Sequence, residues 1–357
     1  MKTELFLILI PSSQIPLSKY PLKHIFLLCD DFICIKIISF LALIHIFLLK
    51  ITFESFLCGT PARDYIYQDT PYDAQIKIAA EMIRDADYVL IGAGAGMSTA
   101  AGAQYGGKFF EENFGEFQKK YGKGPYMQDM YYAGFYPFPD EESYWGYWSK
   151  QALLGGINLD VTPLHKLLLH ALSDKEIFVL STNADGQFVK AGLPEEKIFC
   201  TQGDYFHIQC GRGCHDKTYD AVELFQQMDQ ARKDCRIPSP MVPKCPVCGG
   251  PMDMNLRKDN FFVQDEDWYA AEGRFSDFLS EAIDKKLVLL ELGVGFNTPT
   301  IIRFPFEKLV REHDHISLIR LNLDQAVIPV GFGSRAVGIN ADMAESIKDM
   351  VDVLHAE

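Results

Sequence analysis

The most specific chemistry in the chain belongs to four cysteines in two close pairs, Cys210-Gly-Arg-Gly-Cys214 and Cys245-Pro-Val-Cys248. Two knuckles of this kind can deliver four thiolates to one tetrahedral zinc, with Zn–S bonds of about 2.3 Å and no position left open, so such a metal would be structural. The alternative is a set of unrelated buried thiols. Cys235 lies between the pairs without a partner and reads as a spare thiol, and His207 and His215 fit neither knuckle. A second pattern is the glycine-rich run Gly92-Ala-Gly-Ala-Gly-Met-Ser98, which follows directly on the apolar segment Tyr88–Ile91. A strand, a glycine turn and a helix N-terminus in succession turn backbone N–H groups toward a phosphate. The glycines allow close backbone approach, and Ser98 adds a hydroxyl donor. The spacing is not the dehydrogenase G-x-G-x-x-G, and such turns also arise for packing, so both readings stay open here.

These residues need a frame to hold them. Ala74–Arg84 has helical periodicity, and apolar runs bounded by turn residues at Ile177–Ser181, Lys197–Cys200, Leu287–Leu292 and Ile316–Leu321 read as further strands. Helical stretches alternate with them, which predicts an α/β fold: a Rossmann-like, doubly wound, mostly parallel sheet. The cysteine pairs would then form an inserted zinc ribbon. Between Tyr105 and Trp148, sixteen of forty-four residues are aromatic. That density fits a small helical module with its own core, or a lid or acceptor groove beside the phosphate loop.

With 34 basic and 48 acidic residues the 357-residue chain carries a formal charge of −14, and a body that acidic lacks the basic face of a nucleic-acid binder. Nine unevenly spread cysteines do not form a secreted disulfide framework and point to a reducing compartment. Residues 1–57 are different material, rich in Ile, Leu and Phe. The run Phe32–Leu49, interrupted by Lys36 and His45, is marginal against the roughly 20 apolar residues of a membrane span. A membrane anchor, a removed targeting segment and a non-functional extension all fit this leader. Residues 58–72 read as a linker, and 73–357 as the working domain, with an aromatic module over 105–160 and a zinc module over 206–255.

Taken in order, the motifs resemble the sirtuins. Gly94-Ala95-Gly96-Met97-Ser98 with Gly102 is similar to the family's phosphate loop, Asn183-Ala-Asp185 to its Asn-x-Asp motif, and Gln202-Gly203 to its catalytic loop. Gly293-Val-Gly295-Phe-Asn297 and Asn322-Leu-Asp324 are similar to its segments around the adenine-side ribose. Three departures matter. Ala103-Gln-Tyr-Gly-Gly107 replaces an Ile-Pro-Asp-Phe-Arg stretch, Val263-Gln-Asp265 stands where a Phe-Gly-Glu peptide clamp is expected, and Gln202 holds the position of the catalytic histidine. The segments Asp129–Phe138 and Tyr144–Trp148 resemble the macrodomain-linked (class M) branch, which ADP-ribosylates protein acceptors, notably a lipoyl-carrier protein.

The resemblance implies NAD as co-substrate and zinc as structural metal. It implies that Asn183 and Asp185 hold the nicotinamide ribose while the Asp185 charge stabilises a developing ribosyl cation. The Gln202 amide takes up no proton near neutral pH, so it orients hydroxyls and does not act as the base that deacylation needs. The expectation is therefore a protein ADP-ribosyltransferase with a cytoplasmic catalytic domain. Competing readings are a deacylase, with His207 supplying the base, and a non-catalytic NAD-binding module.

Overall fold

In the computed structural model the described residues are 64–356, except Asn297 and Thr298. The leader 1–57, the start of the expected linker and the candidate Asn297 therefore lie outside the described residues. Among the described residues no helix is long and apolar enough to cross a membrane.

In chain order the elements are β1 (Tyr65–Ile66), α1 (Tyr72–Asp85), β2 (Tyr88–Ala93), α2 (Ala95–Ala100), α3 (Gly107–Tyr121), α4 (Met130–Ala133), α5 (Glu141–Ala152) and α6 (Pro163–Ala171). Then come β3 (Glu176–Ser181), α7 (Gln187–Lys190), β4 (Ile198–Cys200), β5 (Gly203–Cys210), β6 (Thr218–Asp220), α8 (Val222–Ala231) and β7 (Met252–Leu256). The chain closes with α9 (Glu266–Ala282), β8 (Leu287–Leu292), α10 (Arg303–Glu312), β9 (Ser317–Asn322), β10 (Ile328–Pro329), β11 (Ala336–Asn340) and α11 (Met343–His355).

Six strands form one parallel sheet in the order β11-β9-β8-β2-β3-β4. Counted along the chain, the sheet runs outward in both directions from β2, which is the doubly wound order, with its switch point between β2 and β8. β8 is buried at every position and β2 at all but its first residue, as strands covered on both faces must be. One face packs against α1, α6 and α11, the other against α9 and α10. In α1 the buried positions Ile76, Ala79, Ala80 and Ile83 follow the helical period and give it one apolar stripe. The α/β expectation is met.

The aromatic helices α3 to α5 and a separate antiparallel sheet, β6-β5-β7, do not have a core each. Phe110, Phe114, Phe117, Trp145 and Tyr147 pack with Ile208, Phe225, Met228, Met252 and the thiol residues Cys210, Cys235 and Cys245 in one cluster. The aromatic segment and the cysteine pairs thus stabilise each other across about a hundred residues of chain.

The C-terminal end of the expected linker is held by backbone pairing. Tyr65 and Ile66 pair with Pro329 and Ile328, Gln68 donates to the Ala336 carbonyl and accepts from the Gly338 N–H, and the Tyr67 hydroxyl donates to the Asp324 carbonyl. Two paired residues are too short a run to give a strand signal, and their partners are backbone groups more than 250 residues away.

Candidate functional site

The candidate residues gather where the parallel strands end. Gly94 follows β2, Asn183 and Asp185 follow β3, Gln202 follows β4, Gly293 and Gly295 follow β8, and Asn322 closes β9 with Asp324 two residues on. In a doubly wound sheet this C-terminal edge, at the switch point, is where a crevice opens for a ligand. Backbone bonds knit the edge together: Thr182 donates to the Ala93 carbonyl at 3.0 Å, Gly94 to Leu292 at 2.9 Å and Gly293 to Leu321 at 3.0 Å.

Within this edge the glycines have a definite task. The Gly96 N–H donates to the Gly293 carbonyl at 3.0 Å, and a Cβ on Gly96 would lie 2.6 Å from the Gly293 Cα. A Cβ on Gly293, whose φ is +62°, would meet the Met97 nitrogen at 2.4 Å. The two loops cross backbone to backbone, so the packing reading of the glycine run holds for Gly94, Gly96 and Gly293, whose close approach is to one another. Ala95 at the start of α2 stays exposed. Gly102, at φ +100°, ends α2 in the left-handed conformation common at helix C-termini.

Ser98 is turned toward the Asn-x-Asp loop. Its hydroxyl donates to Asp185 Oδ2 at 2.5 Å and accepts from Asn183 Nδ2 at 3.2 Å, so its single proton is directed at the carboxylate. Asn183 Nδ2 also donates to the Gly94 carbonyl at 2.9 Å, and the Gln187 N–H donates to Asp185 Oδ1 at 3.1 Å. Phosphate loop and Asn-x-Asp loop are one hydrogen-bonded unit around a carboxylate that is 5% exposed.

Residues not singled out in the sequence surround this carboxylate. Burial raises the Tyr105 hydroxyl pKa, reinforced by the nearby Asp185 and Tyr205, while the neighbouring Ser98 works against it. The Tyr205 N–H donates to the Ala184 carbonyl at 3.0 Å, and its hydroxyl accepts from Gln151 at 3.3 Å. His165, fully buried on α6, bonds Thr162 at 2.6 Å through Nδ1; burial pushes its pKa down, against the pull of Asp185. Tyr105 sits in the loop that departs from the family pattern, and its carbonyl accepts from the Met130 N–H of α4 at 2.8 Å. That bond ties the altered loop to the aromatic segment. Thr162-Pro163, a cap followed by proline at the first helical position, was the one local signal pointing to this corner.

Gln202 is half-buried, and its carbonyl accepts from the Arg257 N–H at 3.0 Å. The glycine after it is obligatory: at φ +79° a Cβ on Gly203 would lie 1.8 Å from the Asn255 carbonyl oxygen. His207 does not swing toward Gln202. Its Nδ1 lies 2.9 and 3.0 Å from the two oxygens of Asp204, which also accepts its backbone N–H, and it faces Asp220 and Asp265. At the expected clamp, Val263 is 4% exposed, its N–H donates to Gln209 Oε1 at 2.8 Å and its carbonyl accepts from Asn255 at 3.0 Å. Asp265 caps α9 through the Trp268 N–H. The Val263 N–H is already engaged and its carbonyl already holds one donor, so this backbone offers little to a visiting strand.

Among the residues expected to face the adenine-side ribose, Asn322 is 8% exposed and donates to the Val294 carbonyl at 3.2 Å, while Asp324 is exposed and Gly295 half-buried. All four predicted thiols come together. Cys210 and Cys248 sulfurs are 3.7 Å apart, and Cys214 and Cys245 3.6 Å apart. Zn–S bonds of about 2.3 Å place tetrahedral sulfurs about 3.8 Å from one another, so the spacing fits a four-thiolate zinc. His215, set aside in the sequence, brings Nδ1 to 3.1 Å from the Cys214 sulfur, and Cys210, Cys214, His215 and Cys245 offer ligand atoms within 4.8 Å of one another. Cys235 is buried in the shared core.

No family model matches the chain. A protein ADP-ribosyltransferase of Staphylococcus aureus (strain Mu50 / ATCC 700699) is 32% identical over 274 residues, which are 76% of this chain and 86% of that protein. A probable bifunctional ADP-ribose hydrolase/ADP-ribosyltransferase of Fusarium oxysporum f. sp. cubense is 33% identical over 278 residues, 73% of this chain and 45% of its own length. Of solved structures, a Sir2 homolog–NAD complex aligns with a TM-score of 0.49 at 15% identity, over 82% of this chain and 98% of its own. Sir2Tm bound to a propionylated peptide aligns with a TM-score of 0.47 at 18% identity, over 76% and 95%. With its phosphate loop, Asn-x-Asp loop, catalytic loop and thiol cluster in order, and a relative matched over most of both lengths, the chain belongs to the sirtuin family, that of the S. aureus protein ADP-ribosyltransferase.

Proposed function

We propose that this protein is an NAD-dependent protein ADP-ribosyltransferase. The observation that carries the reading is the pairing of a buried, pre-oriented Asp185 with a catalytic loop whose side chain, Gln202, cannot titrate. Asn183, Asp185 and Ser98 hold the nicotinamide ribose, and the Asp185 charge stabilises the cation that develops as the glycosidic bond to nicotinamide breaks. Gln202 orients the ribose hydroxyls. The acceptor brings its own nucleophile, so transfer needs no base from the enzyme.

Deacylation requires more, and the residues argue against it. His207 is bound to Asp204, and the Val263 backbone that would clamp a peptide is already engaged by Gln209 and Asn255. The names of the S. aureus and F. oxysporum relatives support transfer. Gly94 to Gly102 and the segments Gly293–Asn297 and Asn322–Asp324 serve the pyrophosphate and adenosine of NAD. Cys210, Cys214, Cys245 and Cys248 hold a structural zinc. The catalytic domain, expected over 73–357, takes in the paired segment from Tyr65, with the modules 105–160 and 206–255 as its smaller part. The acceptor class is a lipoyl-carrier protein of the kind the macrodomain-linked branch modifies. The domain works in the cytoplasm, and the leader, where retained, tethers it to a membrane.

The test is intact-mass spectrometry of lipoyl-carrier and unrelated proteins incubated with NAD and the enzyme. One ADP-ribose mass added to the carrier supports the proposal. Efficient removal of acetyl groups from lysine peptides, with no mass gain on any protein, would replace it with the deacylase.

A further inference from the structure

Beneath the ends of β8 and β9 lies a cluster of four charges that the chemistry above does not use. Glu291, Arg303 and Arg320 are 0% exposed and Glu307 is 1% exposed. Arg303 donates to Glu291 Oε1 through Nε at 3.2 Å and Nη2 at 3.0 Å. Arg320 bridges the two carboxylates, reaching Glu291 Oε2 at 2.8 Å and Glu307 Oε1 at 3.0 Å, and the Tyr65 hydroxyl donates to Glu307 Oε2 at 2.8 Å. Two guanidinium and two carboxylate groups cancel. An ion cluster this deep is a poor source of stability compared with apolar packing, so its placement calls for another reason.

Contacts of the same guanidinium groups with backbone carbonyls supply one. Arg303 Nη2, whose two N–H groups are shared with Glu291, lies 3.0 Å from the Val294 carbonyl oxygen and 2.8 Å from the Gln325 carbonyl oxygen, and Arg320 Nη1 donates to the Val327 carbonyl at 2.5 Å. Val294 and Gln325 belong to two different loops, the one after β8 and the one after β9. The same two loops are joined by Asn322 Nδ2 on the Val294 carbonyl at 3.2 Å and by the Phe296 N–H on Gln325 Oε1 at 3.2 Å. The Arg303 guanidinium also lies 3.9 Å from the centre of the Phe296 ring. These are the loops assigned above to the adenosine half of NAD.

We infer that Glu291, Arg303, Arg320 and Glu307 are positioning residues for the adenosine half of the dinucleotide site, setting NAD affinity by locking the Val294–Phe296 and Asn322–Val327 segments in one mutual geometry. This rests on the NAD reading of the site. Carbonyls held from below by fixed guanidinium forks cannot drift, so the ordering cost of binding is met during folding. The cluster is about one strand-width from the β2 edge and touches neither Asn183 nor Asp185, so it acts on binding and not on bond cleavage.

The measurements are calorimetric titration with ADP-ribose, which lacks nicotinamide, and steady-state kinetics with NAD. Three full-length variants are compared with the wild type: Arg303→Lys, Glu291→Gln and Gln325→Ala. The last alters a half-buried loop residue outside the charge cluster and keeps the test open if the buried variants fold poorly. The expected result is a loss of ADP-ribose affinity of about tenfold for each, the size of one lost charge-assisted or buried hydrogen bond, with KM for NAD rising in parallel and kcat within about twofold. A fall in kcat with KM unchanged, or wild-type ADP-ribose binding in all three variants, overturns the inference alone. Wild-type protein that binds ADP-ribose but does not consume NAD overturns the transferase reading and leaves the inference standing. Wild-type protein that binds no ADP-ribose overturns both.

Discussion

At the scale of single residues, the chemistry centres on what each polar group has left to give. Ser98 has one proton, and Asp185 takes it. A hydrogen bond to a buried carboxylate is worth about 1.5–3 kcal/mol, so Ser98→Ala should slow NAD cleavage by roughly ten- to a hundredfold, more than a phosphate contact would imply. Asn183→Ala and Asp185→Ala should abolish turnover while circular dichroism and zinc content stay at wild-type values, since neither side chain supports a core. Wild-type turnover by either would move the reaction centre elsewhere. His207 makes a separate prediction. Its hydrogen bond to Asp204, against burial and with Asp220 and Asp265 also facing it, raises its pKa above the usual 6.5. The native state therefore binds the proton more tightly than the unfolded chain. The pair's contribution is fully present below pH 6.5 and fades as pH rises through the higher native value. The Tm difference between wild type and His207→Gln should be greatest at mildly acidic pH and shrink above neutrality; a difference that grew with pH would mean His207 is held neutral.

At the scale of elements, the loop crossing at Gly94, Gly96 and Gly293 connects β2 and β8 at the switch point. Gly293→Ala asks a side chain to enter the left-handed region and to occupy space already held by the Met97 nitrogen. The first effect alone costs about 1–2 kcal/mol, and the clash requires the loops to separate, so both stability and cofactor affinity should fall. Urea unfolding alongside ADP-ribose titration would show whether the two losses appear together. The charge cluster spanning β8, β9 and α10 makes a second prediction. Glu291→Ala leaves two buried guanidinium groups short of a partner and should destabilise by about 3–5 kcal/mol, whereas Glu291→Gln keeps the hydrogen-bonding shape and should cost less.

At the scale of the molecule, the shared core of the aromatic helices and the β6-β5-β7 sheet is the feature with the widest consequences. Cys210 and Cys245 sit in the same cluster as Phe110, Trp145 and Phe225, so a zinc held by the thiols would be coupled to the aromatic packing. Stripping the metal with a chelator, or changing Cys245→Ser, should abolish the near-ultraviolet signal of the aromatic segment and expose hydrophobic surface. The six-stranded sheet, whose cores on either face draw on other residues, should keep most of its far-ultraviolet signal. Loss of both signals in one transition would mean that the two parts do not unfold separately. Elemental analysis of the untreated protein should give one zinc per chain.

Much of this was legible in the chain itself. Strands buried on both faces betray themselves as unbroken apolar runs, and β2, β3, β8 and β9 were found that way to within a residue or two. Thiol pairs at knuckle spacing announce their metal, because the spacing is set by local backbone geometry. The glycines and the Asn-x-Asp loop follow strands β2, β3 and β8 at the C-terminal edge of the sheet. Short or polar elements were not visible: β1, β6 and β10 span two or three residues each and exist only through partners far along the chain. Nor could order along the chain say which donor meets which acceptor. That the Ser98 proton goes to Asp185, that the glycines pack on Gly293, that His207 is held by Asp204, and that the arginines of α10 and β9 grip the loops after β8 and β9 all depend on distances between distant segments. Residue types and local spacing determine which chemistry the chain carries, since those follow from covalent structure and short-range geometry. The commitment of each proton and carbonyl was decided by the tertiary structure, because a hydrogen bond is satisfied by proximity in space.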